Sequence, residues 1–131
     1  MSARGRLRTP LKHAQGLGSA KTGTGHFITQ RITAIALIPL SLYIVGLVLS
    51  LADASFTEVR ATVAHPVHAT LLIAFLVSTF WHAQLGMQVI VEDYVHRPAL
   101  AITAQLAIIF ACGLAGLASV IAVLRITFAG A

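Results

Sequence analysis

Charged side chains are scarce in this sequence of 131 residues. They make up 10% of the chain, whereas soluble domains carry about 25%, and only four residues are acidic. Hydrophobic residues account for 57% of the chain, and the mean hydropathy is +0.87. This composition excludes an ordinary soluble domain and predicts a single-domain integral membrane protein.

Cysteine is almost absent as well. Cys112 is the only cysteine in the sequence, so the chain cannot form an internal disulfide bond. It lies in an apolar stretch, where a free cysteine usually acts as a small hydrophobic side chain. We therefore expect no redox role for it.

Long apolar stretches are what the sequence has in abundance. About 20 apolar residues in a helix are enough to cross the ~30 Å hydrocarbon core of a membrane. We expect an all-α membrane protein with three transmembrane helices in up-down-up order. The predicted spans cover residues 29–52, 67–91 and 99–124.

Two prolines and one polar stretch predict where the first span bends and how the first two spans are connected. Pro39 lies inside the first span, where proline is tolerated in a membrane and predicts a kink without a break. Residues 53–66 are polar and are expected to form a connection that contains a short interfacial helix. Pro66 at its end is suited to the first turn of the next helix.

Basic residues are concentrated at the N-terminus. We expect residues 1–25 to form a flexible basic segment and residues 26–131 to form the membrane domain. Short basic flanks stay on the cytoplasmic side of a membrane, so we expect a cytoplasmic N-terminus in a bacterial inner membrane, with the mitochondrial inner membrane as the alternative. A basic tail can also bind nucleic acid, but beside apolar spans it favours a lipid environment without a nucleic-acid partner. Six of the nine lysines and arginines lie in the first 31 residues, at Arg4, Arg6, Arg8, Lys12, Lys21 and Arg31.

One histidine is placed near the middle of the second predicted span. At 100° per residue, Gly86 lies about 40° and Asp93 about 20° from His82 around the helix, so the three share a stripe. Ionisable groups at this depth usually face a partner or a cofactor. A neutral imidazole can bind haem iron, and a glycine one turn away would leave room for a flat porphyrin. From spacing alone, a histidine hydrogen-bonded to another helix fits equally well.

The second predicted span is followed at once by an acidic and aromatic pair. Asp93 and Tyr94 lie about 16–18 Å from His82 along a helix axis, which places them at the cytoplasmic interface. A phenol can donate a hydrogen bond to a quinone carbonyl, and a carboxylate can orient it or relay protons. Tyrosine is also common at interfaces without any binding role.

A second histidine suggests an alternative in which the chain binds two haems. His68 lies on nearly the same face as His82, about 21 Å away along the axis. Two histidines so placed could each hold a haem, one near each side of the membrane. His68 also directly follows the polar connection, where a hydrated histidine costs little.

These residues resemble a known family. The stretch H-A-x-x-G-M-x-x-(V/I)-x-x-D-Y, from His82 to Tyr94, is similar to the hydrophobic membrane anchor subunit of succinate dehydrogenase, in its smaller D-type form. The stretch R-I-T-A-I that begins at Arg31 resembles the start of that family's first helix. The resemblance covers most of the chain from about residue 24.

The resemblance implies a set of roles and partners. His82 would be an axial ligand of haem b, Tyr94 would bind ubiquinone, and Asp93 would support that site. Arg31 would lie near the haem propionates or the quinone pocket. The partners would be a larger three-helix cytochrome b anchor, an iron–sulfur subunit and a flavoprotein subunit. The chain would be a non-catalytic subunit of respiratory complex II, which links the tricarboxylic acid cycle to electron transport.

Two other functions remain open from the sequence. A dihaem quinone-reactive cytochrome or fumarate reductase anchor would use His68 as a further ligand. A small membrane protein without a redox role would use His82 for packing or for proton relay.

Overall fold

Helices make up nearly all of the described part of the chain. The computed structural model describes residues 23–128, in which α1 (Gly23–Ser50), α2 (Phe56–Ala64), α3 (Pro66–Tyr94) and α4 (Pro98–Phe128) follow one another. The predicted flexible segment 1–25 lies outside the described residues except for its last three, with which α1 begins. The all-α class is confirmed.

Three of the helices are long and apolar enough to cross a membrane, as the composition predicts. They contain 28, 29 and 31 residues, which corresponds to about 42–47 Å at 1.5 Å per residue. Each helix therefore exceeds the ~30 Å hydrocarbon core. Pro39 lies within α1, which continues past it without a break. Asp93 and Tyr94 belong to the last turn of α3.

Local sequence signals set the boundaries of α2 and α3. Ser55 and Glu58 form a reciprocal capping box at the start of α2. His65 ends α2 in an extended conformation and also caps α3, where its side chain accepts a hydrogen bond from the Val67 amide. Pro66 occupies the first turn of α3, where its missing N–H costs nothing. The chain therefore passes from α2 into α3 without a loop.

Helix α3 lies between the other two long helices. It packs against α1 on one side and against α4 on the other, and within residues 23–128 α1 and α4 do not touch. Gln30 of α1 lies beside His82 of α3, and Tyr43 lies beside His68, so these two helices run antiparallel. We call the two ends of the long helices the Tyr94 end and the Ser50 end.

Few side chains are buried by this arrangement. Within the described residues, the buried apolar side chains are Ala69, Leu85, Val91 and Val123, and the one buried polar side chain is Thr33. Large apolar residues cover the outer faces of all three long helices, for example Leu42, which is 72% exposed. Lipid or a partner helix can cover such surfaces, because lipid tails are as apolar as leucine.

Candidate functional site

The imidazole of His82 lies against two polar side chains of α1. Its Nδ1 is 3.0 Å from the Thr33 hydroxyl oxygen, and its Nε2 is 3.4 Å from the Gln30 amide nitrogen. Thr33 and Gln30 are one turn apart and therefore share a face of α1. The two helices place three polar groups together in the interior of the membrane segment.

Gly86 lies beside the same glutamine. A Cβ atom added at Gly86 would be 3.7 Å from the Gln30 amide nitrogen. The Gln30 side chain therefore occupies the position that a side chain at Gly86 would take, at ordinary van der Waals distance. The carbonyl oxygen of that amide is buried and has no hydrogen-bond partner.

Hydrogen bonds between side chains one turn apart run along α3 from this region to the Tyr94 end. Gln84 donates to Gln88 at 3.4 Å, and Gln88 donates to the Glu92 carboxylate at 2.8 Å. Gln105 of α4 also reaches that carboxylate, at 3.5 Å. The amides hold Glu92 in place, although the acid itself is exposed.

A pocket of about 360 Å³ opens between α1 and α3 at the Tyr94 end. Its lining combines apolar side chains with His26, Gln30, Gln88 and Glu92. Polar groups from two helices thus converge on an apolar pocket, which is the usual composition of a small-molecule site.

The predicted quinone-site residues lie outside this pocket. Asp93 is exposed, and Tyr94 is 77% exposed at the end of α3. Arg31 is exposed on α1, where its guanidinium lies 5.2 Å from the centre of the Phe27 ring. The structure of this chain therefore does not bring Arg31, Asp93 and Tyr94 into one enclosed site.

His68 has partners of its own at the Ser50 end. Its Nδ1 is hydrogen-bonded to the Tyr43 hydroxyl, and its ring centre lies 5.4 Å from that of His65. His68 is therefore a half-buried residue with a polar partner on α1.

An apolar groove of about 600 Å³ separates α3 from α4 midway along the two helices. Phe80, Trp81 and Gln84 line its α3 side, and Cys112, Gly113 and Gly116 line its α4 side. A Cβ atom at Gly116 would meet the Phe80 side chain at 3.4 Å, so the glycine allows α3 and α4 to approach closely.

Sequence reasoning missed Gln30, Thr33 and Tyr43 as partners of the two histidines. Thr33 lies in the R-I-T-A-I stretch, and polar residues at positions 30 and 33 of an apolar helix were the available signal. The signal was incomplete because the register between α1 and α3 decides which residues meet.

Known proteins resemble this chain along most of its length. The family described as succinate dehydrogenase/fumarate reductase transmembrane subunit matches residues 5–124. The succinate dehydrogenase hydrophobic membrane anchor subunit of Rickettsia bellii is 34% identical over 68% of this chain and 71% of its own length. The subunits of that name from Rickettsia conorii and Paracoccus denitrificans are each 30% identical, over 76% and 68% of this chain and 83% and 69% of their own lengths. No solved structure matches the chain significantly.

Proposed function

Because this chain belongs to the succinate dehydrogenase/fumarate reductase transmembrane subunit family, we propose that it is the membrane anchor subunit of a succinate dehydrogenase. It binds a flavoprotein subunit, an iron–sulfur subunit and a larger cytochrome b anchor, and it contributes to haem b binding and to ubiquinone reduction. The complex lies in a bacterial inner membrane, with the N-terminus of this chain in the cytoplasm.

The surroundings of His82 support its role as a haem ligand, and this observation carries the proposal. The Thr33 hydroxyl engages Nδ1 and leaves Nε2 as the available ligand atom. Metal-bound histidines usually have their other ring nitrogen hydrogen-bonded in this way. Gly86 adds no side chain beside the ring, and Gln30, a flexible side chain 3.4 Å from Nε2, would have to turn away before iron could bind there. His82 would therefore provide one ligand to haem iron, and the partner anchor would provide the other.

Bound haem b supplies a one-electron redox centre within the membrane. This chain contributes an imidazole that is fixed in orientation by α1. Arg31 can form charge-assisted hydrogen bonds with propionate carboxylates or can line the quinone pocket. The exposed position of Arg31 leaves its guanidinium accessible to such a group.

The exposed end of α3 is proposed as part of the ubiquinone site. The Tyr94 hydroxyl donates a hydrogen bond to a quinone carbonyl, and Asp93 orients the site or relays a proton to it. Reduction to ubiquinol takes up two electrons and two protons, and the electrons come from succinate through the iron–sulfur subunit. Because Tyr94 is 77% exposed in the single chain, the partner subunits have to complete the pocket.

Purification of the tagged chain from its native membranes in mild detergent tests the proposal. We expect flavoprotein and iron–sulfur subunits to copurify, with a b-type band in the reduced-minus-oxidised visible spectrum. His82→Ala should remove that band and leave the partners bound, because the ligand is lost but the helices remain.

His68→Ala is the matched control, since it removes the second histidine of α3. The haem content should not change, because Tyr43 already engages His68. Loss of one of two haems in this variant would favour the dihaem cytochrome. Neither partners nor haem in the wild-type preparation would favour a membrane protein without a redox role.

A further inference from the structure

Thr33 is the one buried polar side chain among the described residues, at 7% exposure. We propose that Thr33 holds His82 in the form that carries its proton on Nδ1, and thereby keeps the lone pair on Nε2 for haem iron. The proposal rests on the haem-ligand role of His82 given above. Thr33 is then a positioning residue, since it acts on iron only through His82.

The first step concerns the atoms around the Thr33 hydroxyl. Its oxygen lies 2.9 Å from the carbonyl of Thr29, 3.1 Å from that of Gln30 and 3.0 Å from Nδ1 of His82. The two carbonyl oxygens can only accept hydrogen bonds, and a hydroxyl has one proton to donate. A proton directed at the carbonyls leaves the hydroxyl lone pairs for the imidazole.

Five other threonines in the described helices show the same use of the hydroxyl proton. Each donates to the backbone carbonyl four residues earlier, which is a common local hydrogen bond in helices. Thr33 has this geometry toward Thr29 and a further contact to the Gln30 carbonyl, and in addition an imidazole nitrogen approaches its hydroxyl oxygen. The hydroxyl therefore accepts a hydrogen bond from an Nδ1–H group of His82. The threonines with this bond are Thr29, Thr70, Thr79, Thr103 and Thr127.

The second step concerns the opposite side of the ring. The Gln30 amide nitrogen faces Nε2 of His82 at 3.4 Å. An amide nitrogen only donates hydrogen bonds, so its partner has to carry a lone pair. A lone pair on Nε2 again requires the proton on Nδ1. With the amide in this orientation, Gln30 agrees with the tautomer that Thr33 indicates.

The tautomer has a direct consequence for metal binding. Only a ring nitrogen with a free lone pair can bind iron, and the hydrogen bond at the other nitrogen decides which one is free. A hydrogen bond from Nδ1–H also makes the imidazole a stronger donor to the metal. Because Thr33 belongs to α1 and His82 to α3, the contact also prevents rotation of the ring out of the helix interface.

Nitrogen NMR of the full chain without haem tests the tautomer directly. The chain is labelled with ¹⁵N-histidine and placed in lipid nanodiscs, and the His82 signals are identified by their loss in His82→Ala. We expect a protonated Nδ1 and an unprotonated Nε2. In Thr33→Val the fraction with protonated Nδ1 should fall, and in Thr33→Ser it should be retained. Protonated Nε2 in the wild-type chain would overturn the proposal.

Redox titration of the purified complex tests the effect on bound haem. Thr33→Val should reduce haem affinity by about 10- to 100-fold, which is typical for loss of such a hydrogen bond. It should also raise the haem midpoint potential, by about 59 mV for each tenfold loss in the affinity of oxidised relative to reduced haem. Thr33→Ser should match the wild type. Thr29→Val is the matched control, because that hydroxyl contacts only the Gly25 carbonyl.

The outcomes separate this proposal from the proposed function. A Thr33→Val complex with unchanged haem affinity and midpoint potential would overturn the role of Thr33 even if His82 binds iron. A wild-type complex that lacks haem b, but whose chain shows the Thr33-dependent Nδ1–H form, would overturn the haem role of His82 and support the contact with Thr33.

Discussion

His82 shows how one side chain can satisfy two requirements. An unpaired imidazole is costly in the interior of a membrane, and Thr33 and Gln30 remove that cost in the single chain by engaging both ring nitrogens. A haem ligand needs one of those nitrogens free. The flexible glutamine is the partner that can leave, whereas the buried threonine is held by its own helix backbone.

The Tyr94 hydroxyl has a testable role at the same scale. Tyr94→Phe should lower quinone reduction by roughly two- to thirteenfold, because loss of one hydrogen bond costs about 0.5–1.5 kcal/mol. Succinate oxidation by an artificial dye should not change, because the dye bypasses the membrane site. Both rates are measured on isolated membranes.

Tyr43→Phe is the control for this change, since the chain contains only two tyrosines. Tyr43 lies toward the Ser50 end beside His68, so its variant should keep normal quinone turnover. Equal quinone turnover in the Tyr94 variant and the wild type would contradict a binding role for Tyr94.

Helix α3 makes a different polar contact with a neighbouring helix in each part of its length. Toward the Ser50 end it presents His68 to Tyr43 of α1, in its middle part it presents His82 to Thr33 of α1, and toward the Tyr94 end it presents Glu92 to Gln105 of α4. By contrast, the small side chains of Ala107, Ala111 and Ala115 on α4 are exposed.

The stability of the short helix α2 should depend on pH because of its capping box. The backbone N–H of Ser55 donates to the Glu58 carboxylate at 2.7 Å, and the Ser55 hydroxyl adds a second bond at 2.8 Å. These hydrogen bonds lower the pKa of Glu58 below its ordinary value of 4.5. The stabilisation is therefore complete above the ordinary pKa and is lost as the pH falls through the lowered one.

The chemical shift of the Ser55 amide measures this transition. In a pH titration it should have a midpoint below 4.5, and helical shifts in α2 should weaken over the same range. In Glu58→Gln the Ser55 amide should not titrate there. A midpoint at or above the ordinary value would show that the capping box is absent in solution.

At the scale of the whole molecule, residues 23–128 bury very few side chains against one another. With α3 in the middle and no contact between α1 and α4 within residues 23–128, both outer helices present apolar faces to their surroundings. Exposed residues such as Ile35 and Phe110 lie on these faces. Association in lipid depends on packing and hydrogen bonds between helices, so stability comes largely from the surroundings and the partner subunits.

The orientation of the whole chain in the membrane is open to a labelling test. In a Cys112→Ser background, Asp53→Cys should react with an impermeant maleimide added outside intact cells. His96→Cys should react only after the membrane is opened, because the basic N-terminus is expected to keep the Tyr94 end in the cytoplasm. The reverse labelling pattern would invert the predicted topology.

The sequence by itself determined the class of the protein and the approximate position of its helices. Long uncharged stretches cannot fold in water without a very large core, and in lipid the backbone must satisfy its hydrogen bonds within each helix. Pro66 indicated the start of the second long helix, because the first turn of a helix depends on neighbours in sequence. The motif from His82 to Tyr94 indicated the family.

Only the tertiary structure decided which side chains meet. The register between α1 and α3 places Thr33 and Gln30 on His82 and places Tyr43 on His68. Helical periodicity identifies the residues that share a face, but it does not state how far one antiparallel helix is displaced along another. Contacts between helices depend on that displacement, and packing along the whole length of both helices sets it.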